Sequence, residues 1–236
     1  STQQWSGTCV QTITITFTVT DDCDNADTTS ATFTINDTTA PDITVQAVAG
    51  DSECQGLDPN ANTDYIAWLA DNGGADATDL CGNSVTWSNT PGTWSGGCSN
   101  SISVVFTATD DCQNPATTTA TFTIVDTTPP TIDVEASDLT VECDGEGNQQ
   151  DLADWLASNG GASSSDICGD VTWVNDFVEL SDDCGATGSA TVTFTATDDC
   201  GNEATTVATF TILDTKPPTI TMQADDKVVE CDGEGN

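Results

Sequence analysis

Ile13, Ile15, Phe17 and Val19 alternate with Thr12, Thr14, Thr16 and Thr18. That period of two predicts a strand with one face buried. The same alternation returns at Ile102, Val104, Phe106 and Ala108, and again at Ala190, Val192, Phe194 and Ala196. A second strand follows each, with Ala120, Phe122 and Ile124 on one face and Thr121 and Thr123 on the other. Threonine suits the exposed face because its branched Cβ favours the pleat. The two strands read as a hairpin joined by a Thr-Asp-Asp-Cys-x-Asn loop, and earlier strands are expected at 131–135, 139–143 and 171–175. One segment per unit has a helical period instead: Tyr65, Trp68 and Leu69, and Leu152, Trp155 and Leu156, lie at i, i+3, i+4. Asn72-Gly73-Gly74 and Asn159-Gly160-Gly161 are natural stops. Helices this short need their Trp face docked on the sheet to be stable.

The pattern repeats along the chain. Ala-Thr-Phe-Thr-Ile occurs at 31–35, 120–124 and 208–212, and Phe33, Phe122 and Phe210 mark a period of 88 to 89 residues. That is the size of one immunoglobulin-like sandwich. The expected fold class is therefore all-β: tandem immunoglobulin-like β-sandwich repeats, each with one short helix inserted, arranged head to tail. Residues 1–38 read as the C-terminal part of a repeat, 39–127 and 128–215 as complete repeats, and 216–236 as the N-terminal part of the next. The chain reads as a window on a longer array, so the lack of a signal peptide at Ser1 is uninformative about secretion.

Composition narrows the function. The 236 residues carry 39 Asp and Glu against two cations, Lys216 and Lys227, with no His, for a formal charge of -37. So acidic a chain cannot neutralise a phosphate backbone, which excludes nucleic-acid binding. Without His there is no Ser-His-Asp or Cys-His catalysis and no His-ligated zinc. Paired aspartates such as Asp110 and Asp111 recur at a loop tip in every unit with no cleft implied, so the chain reads as no enzyme. No apolar run approaches the ~20 residues of a membrane helix, so no membrane insertion is expected in this segment.

Eleven cysteines without a Cys-x-x-Cys point to an oxidising, extracellular setting. Strand directions place Cys54 and Cys98, and likewise Cys143 and Cys184, at one end of a repeat, with Cys81, Cys112, Cys168 and Cys200 at the other. Cys184 and Cys200 are separated by a whole strand and cannot bond, since a disulfide needs Cα atoms within about 7 Å. The favoured pairing is Cys54–Cys98, Cys81–Cys112, Cys143–Cys184 and Cys168–Cys200. The rival is Cys143–Cys168 with the remaining cysteines bridging neighbouring repeats.

The other chemistry-bearing residues gather at the linker end. Asp37, Asp126 and Asp214 each precede Thr and then a proline. Asp79, Asp110, Asp111 and Asn114 recur as Asp166, Asp198, Asp199 and Asn202. Hard oxygen donors converging on a junction suit Ca²⁺, which takes ~6–8 of them, and one Ca²⁺ per junction would also relieve the self-repulsion of the acidic chain. The same residues are ordinary turn formers that hydrogen-bond their own backbone. Trp68, Trp87, Trp155 and Trp173 read as core. Trp5 and Trp94, in Gly-rich loops, are candidates for contact with surface polysaccharide.

Taken together, Val-Glu-Cys-Asp-Gly-Glu-Gly-Asn, Trp-Leu-Ala-Ser-Asn-Gly-Gly-Ala, Thr-Ala-Thr-Asp-Asp-Cys-Gly-Asn and Asp-Thr-(Thr/Lys)-Pro-Pro resemble the HYR-like, immunoglobulin-like repeats of giant Bacteroidota cell-surface proteins. These include the gliding-motility adhesins exported by the type IX system. The resemblance runs through the whole chain and departs from the shorter HYR pattern at the helix near 149–158. It implies secretion, anchoring at the cell surface by distant parts of the protein, and long fibres. The Asp-Thr-Thr triplets at 27–29, 37–39 and 126–128 resemble Bacteroidota O-glycosylation acceptors, with Thr28, Thr38 and Thr127 as acceptors. The expected function is the stalk or filament region of an extracellular adhesin. Its partners would be neighbouring repeats and identical chains in a fibre. Alternatives are a polysaccharide-binding module and a non-catalytic spacer of a large secreted enzyme.

Overall fold

The computed structural model of the chain describes residues 5–81, 84–231 and 233. Residues 1–4, at the start of the first expected fragment, and 232 and 234–236, at the end of the last, lie outside the described residues. The fold is all-β, a series of sandwich repeats with one short α-helix in each of the two complete ones. It groups into two compact units. The first holds Ser1–Thr131 together with Ser164–Thr172 and Ala196–Ala204, and the second holds Ile132–Ser163, Trp173–Thr195 and Thr205–Asn236.

In the first unit, β1 (Val10–Thr20) and β2 (Ala26–Asn36) form an isolated antiparallel hairpin. Strands β3 (Asp42–Val45) and β4 (Gly50–Glu53) lead into helix α1 (Thr63–Ala70). Then come β5 (Asp76–Thr78), β6 (Val85–Pro91), β7 (Ser99–Asp110) and β8 (Pro115–Val125). Strands β4, β8, β7 and β6 make a four-stranded sheet in that order, while β3 pairs with β5 in a small second sheet. β4 runs parallel to β8, and the other pairs are antiparallel.

The expected alternation is what is buried. Ile102, Val104, Phe106 and Ala108 on β7 and Phe122 and Ile124 on β8 point inward. Over them lies α1, whose Tyr65 is buried and whose Trp68 meets Phe106 edge-on with ring centroids 5.1 Å apart. The helix starts at Asn62, whose Oδ1 accepts from Asp64 N and Tyr65 N, satisfying two of the first-turn donors. It stops where Asn72, Gly73 and Gly74 take φ of 54°, 65° and 76°. A Cβ on Gly73 would press on Phe106, Ala47 and Trp68, so this position needs glycine both for its backbone and for its space. The Trp68 indole N–H is satisfied by Val48 O at 3.0 Å.

The second sandwich repeats this order with β9 (Thr131–Val134), β10 (Leu139–Glu142), α2 (Gln149–Ala157), β11 (Ser163–Ser165), β12 (Val171–Asn175), β13 (Gly188–Asp198) and β14 (Glu203–Leu213). Its core is Trp155, Val192, Phe194, Ala208, Phe210 and Ile212. Trp155 N–H again finds a backbone carbonyl, that of Ser137. The short strands β5 and β11 are not foreseen by periodicity, because three residues are too few to display one.

Contrast with the first hairpin isolates what the helix and early strands contribute. Phe17 and Phe33, one period before Phe106 and Phe122, are 56% and 59% exposed. Phe106 is fully buried and Phe122 2% exposed. The hairpin forms the same register without a helix to cover it, so pairing is local and burial is supplied by the rest of the repeat.

Candidate junction site of disulfides and carboxylates

Three disulfides form: Cys9–Cys112, Cys54–Cys168 and Cys98–Cys200. All six cysteines belong to the first unit. None of the four favoured pairings occurs. Cys54, Cys98, Cys112, Cys168 and Cys200 are bonded to other partners, and Cys81, Cys143 and Cys184 are thiols, as are Cys23 and Cys231. The rival Cys143–Cys168 bond is absent as well, although its companion idea, bonds between neighbouring repeats, is what forms.

The reason lies in β8. Cys54 N donates to Val125 O at 2.7 Å on one side of the strand end, and Asp126 N donates to Cys98 O at 3.2 Å on the other. A strand therefore stands between Cys54 and Cys98. Two inter-strand spacings of about 4.8 Å separate their backbones by about 10 Å, beyond disulfide reach. Both sulfurs instead turn outward from that end and meet Cys168 and Cys200. These two sit in tight turns, where Asp166 Oδ1 accepts from Cys168 N at 2.7 Å and Asp198 Oδ1 accepts from Cys200 N at 2.7 Å.

Carboxylates converge at the same place. Oxygens of Asp126 and Asp166, and of Asp126 and Asp198, approach within 4.8 Å, and Asp37, Asp79 and Asp110 form the corresponding group one period earlier. The neighbouring Cys168 and Cys200 sulfurs are consumed in disulfides and supply no thiolate. Only hard oxygen donors remain.

Each aspartate already uses one oxygen to close a turn. Asp37 Oδ1 accepts from Thr39 N, Asp126 Oδ1 from Thr128 N, and Asp79 Oδ1 from Cys81 N. The second oxygens of Asp37 and Asp126, both Oδ2, are buried and lack a hydrogen-bond partner. A buried carboxylate oxygen with no donor is costly. Burial pushes the Asp126 carboxyl upward, the Thr128 N–H opposes this, and the nearby charges of Asp166, Asp198 and Glu53 raise it further. Two oxygens bound to one Ca²⁺ at about 2.4 Å each lie at most about 4.8 Å apart; Asp37, Asp79 and Asp110 meet that span together, whereas Asp126 meets it with Asp166 and with Asp198 separately.

Four of the anticipated ligands lie outside these groups. Asn114 and Asn202 turn their amide donors, not their carbonyls, onto Asp110 Oδ2 and Asp198 Oδ2 at 2.8 Å. Asp111 accepts from the Ser84 hydroxyl, and Asp199 accepts from Asp170 N. Asp110 and Asp198 therefore serve first as loop closers. Burial raises their carboxyls, but the Asn114 and Asn202 side-chain and backbone donors and the Cys112 and Cys200 N–H groups hold them below the ordinary range.

Glu53 is the site residue that sequence reading passes over. Its two oxygens accept from Thr127 N at 2.7 Å and the Thr127 hydroxyl at 2.9 Å, clamping the linker. Glu142 does the same to Thr215 one period later. The signal was available, since Glu precedes Cys at 53–54, 142–143 and 230–231. The clamp also occupies the hydroxyl of Thr127, one of the three expected glycan acceptors, whereas Thr28 and Thr38 are exposed. Trp94 is no free platform for sugar: it packs against Tyr65 with centroids 5.0 Å apart and donates its N–H to Asn60 Oδ1. Trp5 is 43% exposed and lies edge-on to Phe33. Among the described residues no helix is long and apolar enough to cross a membrane.

Comparison with protein-family models gives no match, and comparison with curated proteins gives none. Among solved structures, Drosophila N-cadherin EC1-4 aligns at 9% identity over 87% of this chain and 58% of that one, with a TM-score of 0.35. The human Desmocollin-1 ectodomain aligns at 11% identity over 87% and 47%, with a TM-score of 0.28. Human mucin-like protocadherin EC1-2 aligns at 9% identity over 74% and 98%, with a TM-score of 0.32. The chain spans about half the length of the first two of these structures, and at such low TM-scores the likeness carries no argument about function.

Proposed function

We propose that this chain is a structural, non-catalytic part of an extracellular surface protein: a stalk or filament segment of a bacterial adhesin of the Bacteroidota HYR-like type. Its repeats are braced to one another by disulfides, and Ca²⁺ sits among the aspartates at each junction. The observation that carries this reading is that every disulfide joins a cysteine of one sequence period to a cysteine of the next. Bonds placed in that way add little to any single core and fix neighbours to each other. They also require an oxidising compartment. The Ca²⁺ assignment draws on the buried, undonated oxygens of Asp37 and Asp126, two residues that also group with further carboxylates. When bound, the ion would neutralise that charge, and Asp126 with Asp166 and Asp198 would hold it.

Immunogold electron microscopy of cells bearing the protein, with antibody raised against this chain, tests the reading. Gold along thin surface fibres is expected. Gold confined to the cell interior, or to compact particles carrying a catalytic activity, overturns it.

A further inference from the structure

Two of the three disulfides are related by one translation along the sequence. Cys98–Cys200 moved back by one period becomes Cys9–Cys112, and both bonds exist. Cys54 after β4 and Cys98 before β7 take the turn cysteines Cys168 and Cys200 of the next repeat, and Cys9 before β1 takes the turn cysteine Cys112. The five thiols, Cys23, Cys81, Cys143, Cys184 and Cys231, are those whose partner position under this rule falls outside residues 1–236. Applied to them, the rule would pair Cys23 and Cys81 toward lower residue numbers and the other three toward higher ones. The rule leaves no cysteine unaccounted for.

Cys143 and Cys184 belong to the end of the second sandwich that matches the bonded end of the first. Cys143 N donates to Leu213 O at 2.7 Å, as Cys54 N does to Val125 O. Glu142 clamps Thr215 as Glu53 clamps Thr127. Asp214 Oδ1 closes a turn onto Lys216 N at 3.0 Å, the counterpart of Asp126. Cys184 is exposed and Cys143 half-buried. This end therefore repeats one half of a junction.

We propose that the surface formed by Cys143, Cys184 and Asp214 is a docking face for one more repeat of this same type, the one that residues 216–236 begin. Val229-Glu230-Cys231 repeats Val141-Glu142-Cys143, so that repeat already opens within this chain. Cys143 bonds to its turn cysteine before the Val-Thr-Trp strand, and Cys184 bonds to the cysteine of its Thr-Asp-Asp-Cys loop. Each bond forms as two thiols give up two protons and two electrons to a small disulfide such as oxidised glutathione, which leaves as two thiols. The proposal rests on reading the chain as braced repeats and is independent of calcium.

The test lengthens the full chain by one repeat, placing a second copy of residues 128–236 after residue 215, folded in a glutathione redox buffer. Disulfide mapping by mass spectrometry should find Cys143 joined to the copied Cys168 and Cys184 to the copied Cys200. The bonds should rise from three to five while alkylatable thiols stay at five. In Cys143→Ser/Cys184→Ser of the lengthened chain, thiols should rise from five to seven, with the original three bonds retained as the control for folding. A Cys143–Cys184 bond overturns the docking proposal, as does persistence of both as thiols. Either result leaves bracing of the existing junction standing if Cys54–Cys168 and Cys98–Cys200 appear in the same map. The unlengthened chain identifies the occupant: monomers are expected, and multimers linked through Cys143 or Cys184 would assign the face to a second chain and overturn the same-chain proposal.

Discussion

Tension applied to the ends of this chain should cross through sulfur and short-cut most of the sequence between Cys9 and Cys200. The loops closed by Cys9–Cys112 and Cys98–Cys200 overlap in sequence. The shortest covalent route from Cys9 to Cys200 therefore crosses to Cys112, follows β7 back to Cys98, and crosses again. That route contains about 14 residues of main chain, against about 191 along the sequence; at ~3.4 Å per extended residue it limits the stretch to about 50 Å, against about 650 Å. Removing Cys98 leaves Cys54–Cys168 as the shortcut, by way of residues 9–54 and 168–200, about 77 residues or ~260 Å. Single-molecule force spectroscopy with handles at both termini reads these lengths directly. The oxidised chain should release about 600 Å less contour than the reduced chain, and Cys98→Ser should fall between them. Equal contour release with and without reductant would refute the covalent-route reasoning.

Other consequences follow from the same geometry. Phe194→Ala, at a fully buried site, should cost about 3–5 kcal/mol in denaturant unfolding followed by Trp fluorescence, whereas its exposed counterpart Phe17→Ala should cost under about 0.5 kcal/mol. Equal costs would contradict the assigned core. Isothermal titration with Ca²⁺ should give two sites, and Asp126→Asn should leave one; an unchanged stoichiometry would remove Asp126 from the site. Asp110 and Asp198 titrate below the ordinary carboxylate range when folded, so the stability they contribute is present above that range and lost as pH falls through their lowered values. Asp126 is raised, so its contribution has the opposite sign and fades as pH rises through its folded value. Thermal melts in chelator should therefore show the wild type losing stability on acidification below about pH 4. Asp126→Asn should gain relative to wild type near neutrality, and no relative gain would contradict the crowding of carboxylates at Asp126.

Much of the fold was legible because strong local signals agreed. The alternation at Ile102–Ala108 and Ala190–Ala196 is that of half-buried strands, and the Asn-Gly-Gly stops coincide with three successive positive φ values. The placement of cysteines at ends of repeats followed from strand direction alone. Their pairing did not, because it depends on which strand stands between two ends, and the parallel insertion of β4 beside β8 is a long-range fact with no local signature. The carboxylate cluster was half legible for a similar reason. Recurrent Asp residues identified the junction, but only side-chain direction separates Asp126, with a buried undonated oxygen, from Asn202, whose amide donor already engages Asp198. Glu53 carries a recurring signal, Glu before Cys, but its role as a clamp is set by linker threonines distant in sequence that fold onto it.

Disulfide mapping of the 236-residue chain is the most direct test of bracing between repeats: alkylation of free thiols, proteolysis without reduction, and mass spectrometry of linked peptides. Cys9–Cys112, Cys54–Cys168 and Cys98–Cys200 with five alkylated thiols are the expected result. Linked peptides joining Cys54 to Cys98 or Cys168 to Cys200 would show each repeat stapled within itself and would contradict it.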